Sequence, residues 1–235
     1  MSTQDIHTRI QTYLVRADLD RYLAHTPVIA KAIHGVMAAI GGDAPQLTAD
    51  TLYTYPVPML SEDGTCSIIE ALSPTPYDLS AILGGRTEAT TRKLLLLNQV
   101  VLHVLQLSGA DWLGIYQSRE TLGGAWTLVK LAYRGIPSRA EFPLTPEFAK
   151  GSTNSTVGLE GSARVIDDVA AYRAEGGGFY VCDDKVQSEA CLPLFDEAGK
   201  IIGILDCEAA PQNFFNAERI AALAACALVA PALLP

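Results

Sequence analysis

Histidine is scarce and comes early: His7, His25, His34 and His103 are the only four, so no imidazole follows His103. That works against His-based acid–base chemistry or a His-rich metal site in the C-terminal part. No CxxC pair occurs among the five cysteines, Cys66, Cys182, Cys191, Cys207 and Cys226. In a reducing compartment these start as thiols, and the question is which of them is reactive. Positive charge is also short, with 17 Lys and Arg against 26 Asp and Glu and a net charge of −9. Such a balance argues against nucleic acid or an anionic membrane as the main partner, because phosphate binding needs a basic surface. No continuous apolar run reaches the ~18 residues of a membrane span; the nearest, 221–235, carries Pro231. The opening MSTQDIHTRI lacks an apolar signal core, so a cytoplasmic protein is expected.

What is present is enough for a real core. Of 235 residues, 49% are hydrophobic and 18% charged, which excludes disorder as the main state, and the length allows one large domain or one domain plus a sizeable extension. Two textures divide the chain. Over residues 1–87, Ile6, Ile10, Tyr13 and Leu14, then Ile29, Ile33 and Met37, recur at helical spacing, and Gly41-Gly42 ends the second helix. Pro56, Pro58, Pro74 and Pro76 mark the rest as loop with short pieces of structure. This part reads as a helical N-terminal extension, a cap or dimerisation element, without chemistry of its own.

Residues 88–235 read as helix, strands, helix. Glu88 to Leu107 has a long apolar face, with Thr87 placed to cap it. Trp112–Tyr116 and Trp126–Tyr133 form a hairpin about Gly123-Gly124, and residues 134–162 read as loop. Arg164–Asp167 is a short strand and Val169–Ala174 a helical turn. Glu189–Phe195 and Lys200–Ala209 are strong strands joined by a tight turn, and Asn216–Leu228 closes the chain as an amphipathic helix. This order predicts an α+β domain with a mostly antiparallel sheet, helices on one face and a loop-covered pocket on the other.

The densest polar cluster lies late: Cys182-Asp183-Asp184, Ser188-Glu189, and Asp206-Cys207-Glu208. Burying several carboxylates is costly unless they bind something cationic. Strand alternation puts Asp206 and Glu208 on one face with Cys207 opposite, and Glu189 on one face with Cys191. A hairpin can then gather Glu189, Asp206 and Glu208 into an acidic pocket for an ammonium group; on spacing alone the same residues read first as solvated strand ends. Asp183-Asp184 alone does not make a metal site, and no metal or other cofactor is expected.

Cys182-Asp183-Asp184-Lys185-Val186-Gln187-Ser188-Glu189, with Leu192-Pro193-Leu194 and Gly203-Ile204-Leu205-Asp206, resembles the signature region of the free methionine-(R)-sulfoxide reductases, which are single GAF domains. Asp111-Trp112-Leu113-Gly114-Ile115-Tyr116 and Val165-Ile166-Asp167-Asp168-Val169 are similar to two further segments of that family, and the resemblance covers about residues 88 to 230. It implies a GAF-like fold and makes Cys182 the reactive cysteine. Glu189, Asp206 and Glu208 become ligands of the substrate's charged groups, and Trp112 and Tyr116 the pocket walls. A thiolate would attack the sulfoxide sulfur, leaving a sulfenic acid that a second thiol reduces.

The family usually carries two further cysteines, in segments that here read Pro137-Ser138-Arg139-Ala140-Glu141-Phe142-Pro143 and Lys150-Gly151-Ser152-Thr153-Asn154-Ser155. Neither holds one. Cys191 is then the better candidate for an internal resolving thiol, and an external small thiol or thioredoxin-type protein the other route. The leading expectation is thiol-dependent reduction of free methionine-(R)-sulfoxide or a related small amino acid. The alternative is a non-catalytic GAF sensor holding a cationic small molecule, and a third reading is a structural interaction domain. A homodimer is expected from the apolar faces of the extension and the long first helix of the domain.

Overall fold

The computed structural model describes residues 3–40, 42, 47–60, 72–121, 123–181 and 183–235. Cys66, Cys182 and Gly41 lie outside them. The centre is a six-stranded antiparallel sheet of β3 (Trp112–Glu120), β4 (Trp126–Arg134), β5 (Glu141–Pro143), β6 (Arg164–Ile166), β7 (Ser188–Phe195) and β8 (Ile201–Ala209), in the order β5-β4-β3-β8-β7-β6. Consecutive strands are neighbours except at one crossover, from β5 to β6, and β8 lies between β3 and β7. The fold is α+β, as the element pattern predicts.

Helices cover one face. α4 (Glu88–Ser108) begins at Thr87, whose hydroxyl accepts from the Thr90 amide at 3.1 Å, and ends at left-handed Gly109. α8 (Ala217–Val229) begins at Asn216, which caps the Arg219 amide. Both helices pack their apolar sides on Leu113, Ile115, Leu192 and Leu205. α1 (Thr3–Arg16) and α2 (Thr26–Ile40) add Ile10, Leu14, Ile29 and Val36 to that same continuous core. The N-terminal helices are therefore built into the core rather than appended to it.

Asp20–Ile40, a 3-10 turn running into α2, has a mean hydropathy of 1.3 and by length and composition is long and apolar enough for a membrane span. Asp20, Arg21 and Lys31 interrupt it, so it holds no unbroken apolar run of that length. In the fold its inner side, Ile29, Ala30 and Val36, is packed into the core.

Residues 134–162 depart from the expected loop. They form edge strand β5, a turn of helix α5 (Pro146–Ala149), and α6 (Thr153–Glu160), capped by Ser152 and stopped at left-handed Gly161. α6 has no apolar stripe to betray it. Its buried residues are Thr153, Asn154, Ser155, Val157 and Gly158, and the first three make hydrogen bonds on the loop-covered face of the sheet. Residues 54–78 supply a second, small sheet in which β1 (Thr54–Tyr55) pairs with β2 (Tyr77–Asp78).

Candidate functional site

Strand register assembles the pocket. β8 runs between β3 and β7, so each of its inward residues has two neighbours: Asp206 lies opposite Cys191 on one side and Gly114 on the other, and Glu208 opposite Glu189 and Trp112. Leu205 and Cys207 alternate to the helix-covered face. Trp112 lays its ring across Gly114, where any Cβ would collide with it, so only glycine lets the indole form a flat wall beside Asp206. Trp112, Tyr116, Ser138, Phe142, Asn154, Tyr180, Glu189, Asp206 and Glu208 line one pocket. The five residues proposed from sequence for substrate binding thus come together in space. The closed space between them holds about one water molecule.

The other wall comes from the glycine-rich loop before residue 182. Gly178 passes so close to the Lys150 carbonyl that a Cβ would overlap it, and the Thr153 hydroxyl donates to the Gly178 carbonyl at 3.1 Å. This seats Tyr180 edge-on against Phe142, with ring centroids 5.4 Å apart, and Arg139 donates to the Tyr180 hydroxyl at 2.9 Å. Lys185, the cation nearest the reactive-cysteine position in sequence, is exposed on the turn that Asp183 caps.

The charge here is unusual for a core. Glu189 and Asp206 are 2% and 3% exposed. Asn154 donates to Asp206 Oδ2 at 2.9 Å, whereas Asp206 Oδ1 and Glu189 Oε1 are buried with no hydrogen-bond partner among the described residues. Burial pushes the Asp206 carboxyl up to about 6, against the pull of the Asn154 hydrogen bond and the Lys130 charge. Burial, and then the charges of Asp206 and Glu208, push Glu189 well above the usual carboxylate range. Two orphaned oxygens in one pocket call for protons or a cation.

Glu189, Cys191 and Asp206 place ligand atoms within 4.8 Å of one another, the arrangement a small cation could use. Cys191 shares the pocket face, as alternation predicts. Burial and the Asp206 and Glu189 carboxylates push its thiol well up, which disfavours the thiolate. Cys207 and Cys226 are buried in the apolar core on the far side.

Two features escape the sequence reading. The first is Lys130, fully buried in β4. A register shift between Ile115 and Tyr116 leaves β4 with an extra residue, so Lys130 and Tyr133 both turn to the pocket side. The ammonium donates to the carbonyl and to Oγ of Ser138, each at 2.7 Å, and sits 4.1 Å from the Tyr133 ring centroid, 5.2 Å from Tyr55 and 5.7 Å from Trp112. The signal was available: a lysine in the middle of Leu128-Val129-Lys130-Leu131-Ala132, an otherwise apolar strand. The second feature is the N-terminal part. Tyr55 donates to the Lys130 carbonyl at 2.7 Å, and Tyr77 hydrogen-bonds Glu141. The segment expected to lack chemistry thus completes the aromatic surround of the buried lysine.

The two segments without the expected cysteines supply polar groups to this pocket, Ser138 from one and Asn154 from the other. Among solved structures, the chain is similar to the type II free methionine-R-sulfoxide reductase of Thermoplasma acidophilum, with 21% identity over 62% of this chain and 95% of that one at a TM-score of 0.52. It is also similar to the free methionine-R-sulfoxide reductase of Neisseria meningitidis (18% identity, 66% and 84% of the two chains, TM-score 0.47). A third likeness is to the GAF domain of an Acinetobacter phosphoenolpyruvate-protein phosphotransferase (16% identity, 64% and 85%, TM-score 0.45). No curated protein matches the chain. The family model for the GAF domain matches residues 94–232, more than half of the sequence, and the chain belongs to the GAF domain family.

Proposed function

We propose that the protein is a thiol-dependent reductase of free methionine-(R)-sulfoxide or a related small amino acid, acting through Cys182. The observation that carries the amino-acid part is the pair of orphaned, buried oxygens, Glu189 Oε1 and Asp206 Oδ1, facing a pocket walled by Trp112 and Tyr116. A substrate ammonium satisfies both, with Glu208 as a third acceptor, and the aromatic walls suit the methyl end. Entry of the amino acid displaces the Tyr180 side chain, because the closed space holds only about one water molecule.

In the reaction, Cys182 Sγ attacks the sulfoxide sulfur and ends as a sulfenic acid, carrying the oxygen, while the substrate leaves as the thioether. Glu189, which burial and the Asp206 and Glu208 charges hold well above the usual carboxylate range, is the proton donor to the oxygen as it transfers, its other oxygen still accepting from the ammonium. The sulfenic acid is reduced by two equivalents of thiol, yielding a disulfide and water. Cys191 is poorly suited to supply one of them, because its thiol is held protonated. An external small thiol or thioredoxin-type protein therefore regenerates Cys182.

The second reading, a non-catalytic GAF sensor for an ammonium-bearing small molecule, is favoured by one observation: the segments that resemble the family's cysteine-bearing turns carry Ser138 and Asn154. Consumption of free methionine-(R)-sulfoxide with dithiothreitol, run beside Cys182→Ser, separates the two. Turnover in the wild type that is lost in the variant supports the reductase. Binding without turnover in the wild type leaves the sensor.

A further inference from the structure

We propose that the Lys130–Ser138 pair is the carboxylate-recognising end of the pocket, so that the site selects a zwitterionic α-amino acid over the corresponding amine. The inference rests on the reading of the acidic cluster as an ammonium site and extends it to the other charge of the same ligand.

Three observations carry it. First, Lys130 is fully buried at a position where its strand neighbours are apolar. A leucine or methionine would fill that volume without the desolvation cost of an ammonium. Second, the ammonium is locked by two 2.7 Å hydrogen bonds to one residue, Ser138, and that residue lines the pocket at 5% exposure. Ser138 Oγ accepts from Lys130, and its own proton has no acceptor among the described residues. A hydroxyl polarised by a cation behind it is thus available to donate forward. Third, the rest of the lining is one-signed. Glu189, Asp206 and Glu208 attract an ammonium but repel the carboxylate that every free α-amino acid also carries. Lys130 is close enough to pull the Asp206 carboxyl down, so its field reaches the ligand space.

The pair acts through the serine: Ser138 touches the ligand and Lys130 is a positioning residue behind it. The Tyr133, Tyr55 and Trp112 rings hold the ammonium from its other sides, which keeps the donor end fixed.

The test is calorimetric titration of the full chain with L-methionine-(R)-sulfoxide and with 3-(methylsulfinyl)propylamine, the same molecule without its carboxylate. The wild type is expected to bind the amino acid at least about tenfold more tightly, the worth of one hydrogen bond to a charged group. Ser138→Ala is expected to lose about that factor for the amino acid and leave the amine unchanged. A general loss of structure would weaken both ligands alike and so cannot mimic that change in ratio. Equal binding of amine and amino acid by the wild type, or an unchanged ratio in Ser138→Ala, overturns the inference while leaving ammonium recognition standing. A wild type that binds neither compound removes both.

Discussion

Along β8, Leu205 and Cys207 turn toward α4 and α8, while Ile204, Asp206 and Glu208 turn toward the loops. Consecutive residues of one strand thus enter two kinds of interior. The helix-covered face is buried by aliphatic packing across a single core that also takes in α1 and α2. The loop-covered face is buried as deeply, but around two carboxylic acids, a lysine and a serine. Burial alone therefore does not distinguish them. The helical side leaves two neutral groups unpartnered among the described residues, Gln99 Oε1 and His25 Nδ1, whereas the loop-covered face leaves two carboxyl oxygens, Glu189 Oε1 and Asp206 Oδ1, in one pocket. A protein tolerates such a debt where a ligand settles it.

Neighbouring substitutions on the two faces should separate stability from binding most sharply. Leu205→Ala should cost about 2–5 kcal/mol in denaturant unfolding, because it opens a cavity in the packed core. Asp206→Asn should leave stability at pH 7 unchanged or raised, since it removes a charge that burial disfavours, yet should weaken amino-acid binding by about a hundredfold. If Asp206→Asn destabilises as much as Leu205→Ala, the two faces do not differ as described.

The same contrast has a pH signature. Asp206 titrates at about 6 in the fold against 3.8 in a free side chain, so between those values the folded state binds more protons. Its contribution to stability is complete below about 4 and is lost as pH rises through about 6; Glu189 is shifted in the same direction. The stability of the wild type relative to Asp206→Asn should therefore fall from pH 4 to pH 7. Ligand affinity should move the opposite way, rising with pH as the acceptors ionise. A smaller effect sharpens the role of the N-terminal part: Tyr55→Phe should cost about 1–1.5 kcal/mol through the lost hydrogen bond to the Lys130 carbonyl. The smallest, Thr87→Ala at the start of α4, should cost about 1 kcal/mol or less, and should not touch binding.

The helix-covered side was legible because it follows periodicity. The α4 cap at Thr87, its stop at Gly109, the β7–β8 hairpin and the Asn216 start of α8 all announce themselves in residue type and spacing. The inward set Glu189, Cys191, Asp206 and Glu208 was legible for the same reason, since alternation along two paired strands assigns faces. What alternation hides is its own interruption. The bulge opposite Ile115 turns both Lys130 and Tyr133 inward, and no turn residue marks it. α6 is hidden because most of its buried side is small or polar, Thr153, Asn154, Ser155 and Gly158 beside a single Val157, and the polar residues look solvent-facing until their partners, Asp206 among them, are known. Tyr55 reaches the Lys130 carbonyl across 75 residues of sequence, a distance over which no local pattern speaks.

The central claim is that the loop-covered face recognises the ammonium of a free amino acid. Calorimetry of L-methionine-(R)-sulfoxide against its N-acetyl form tests it directly, because acetylation removes that charge and leaves the sulfoxide end intact. The free amino acid is expected to bind, and the N-acetyl form to be weaker by about a hundredfold or more. Equal affinity for the two would contradict it, and would mean that Glu189 and Asp206 carry protons in the bound state and serve another ligand.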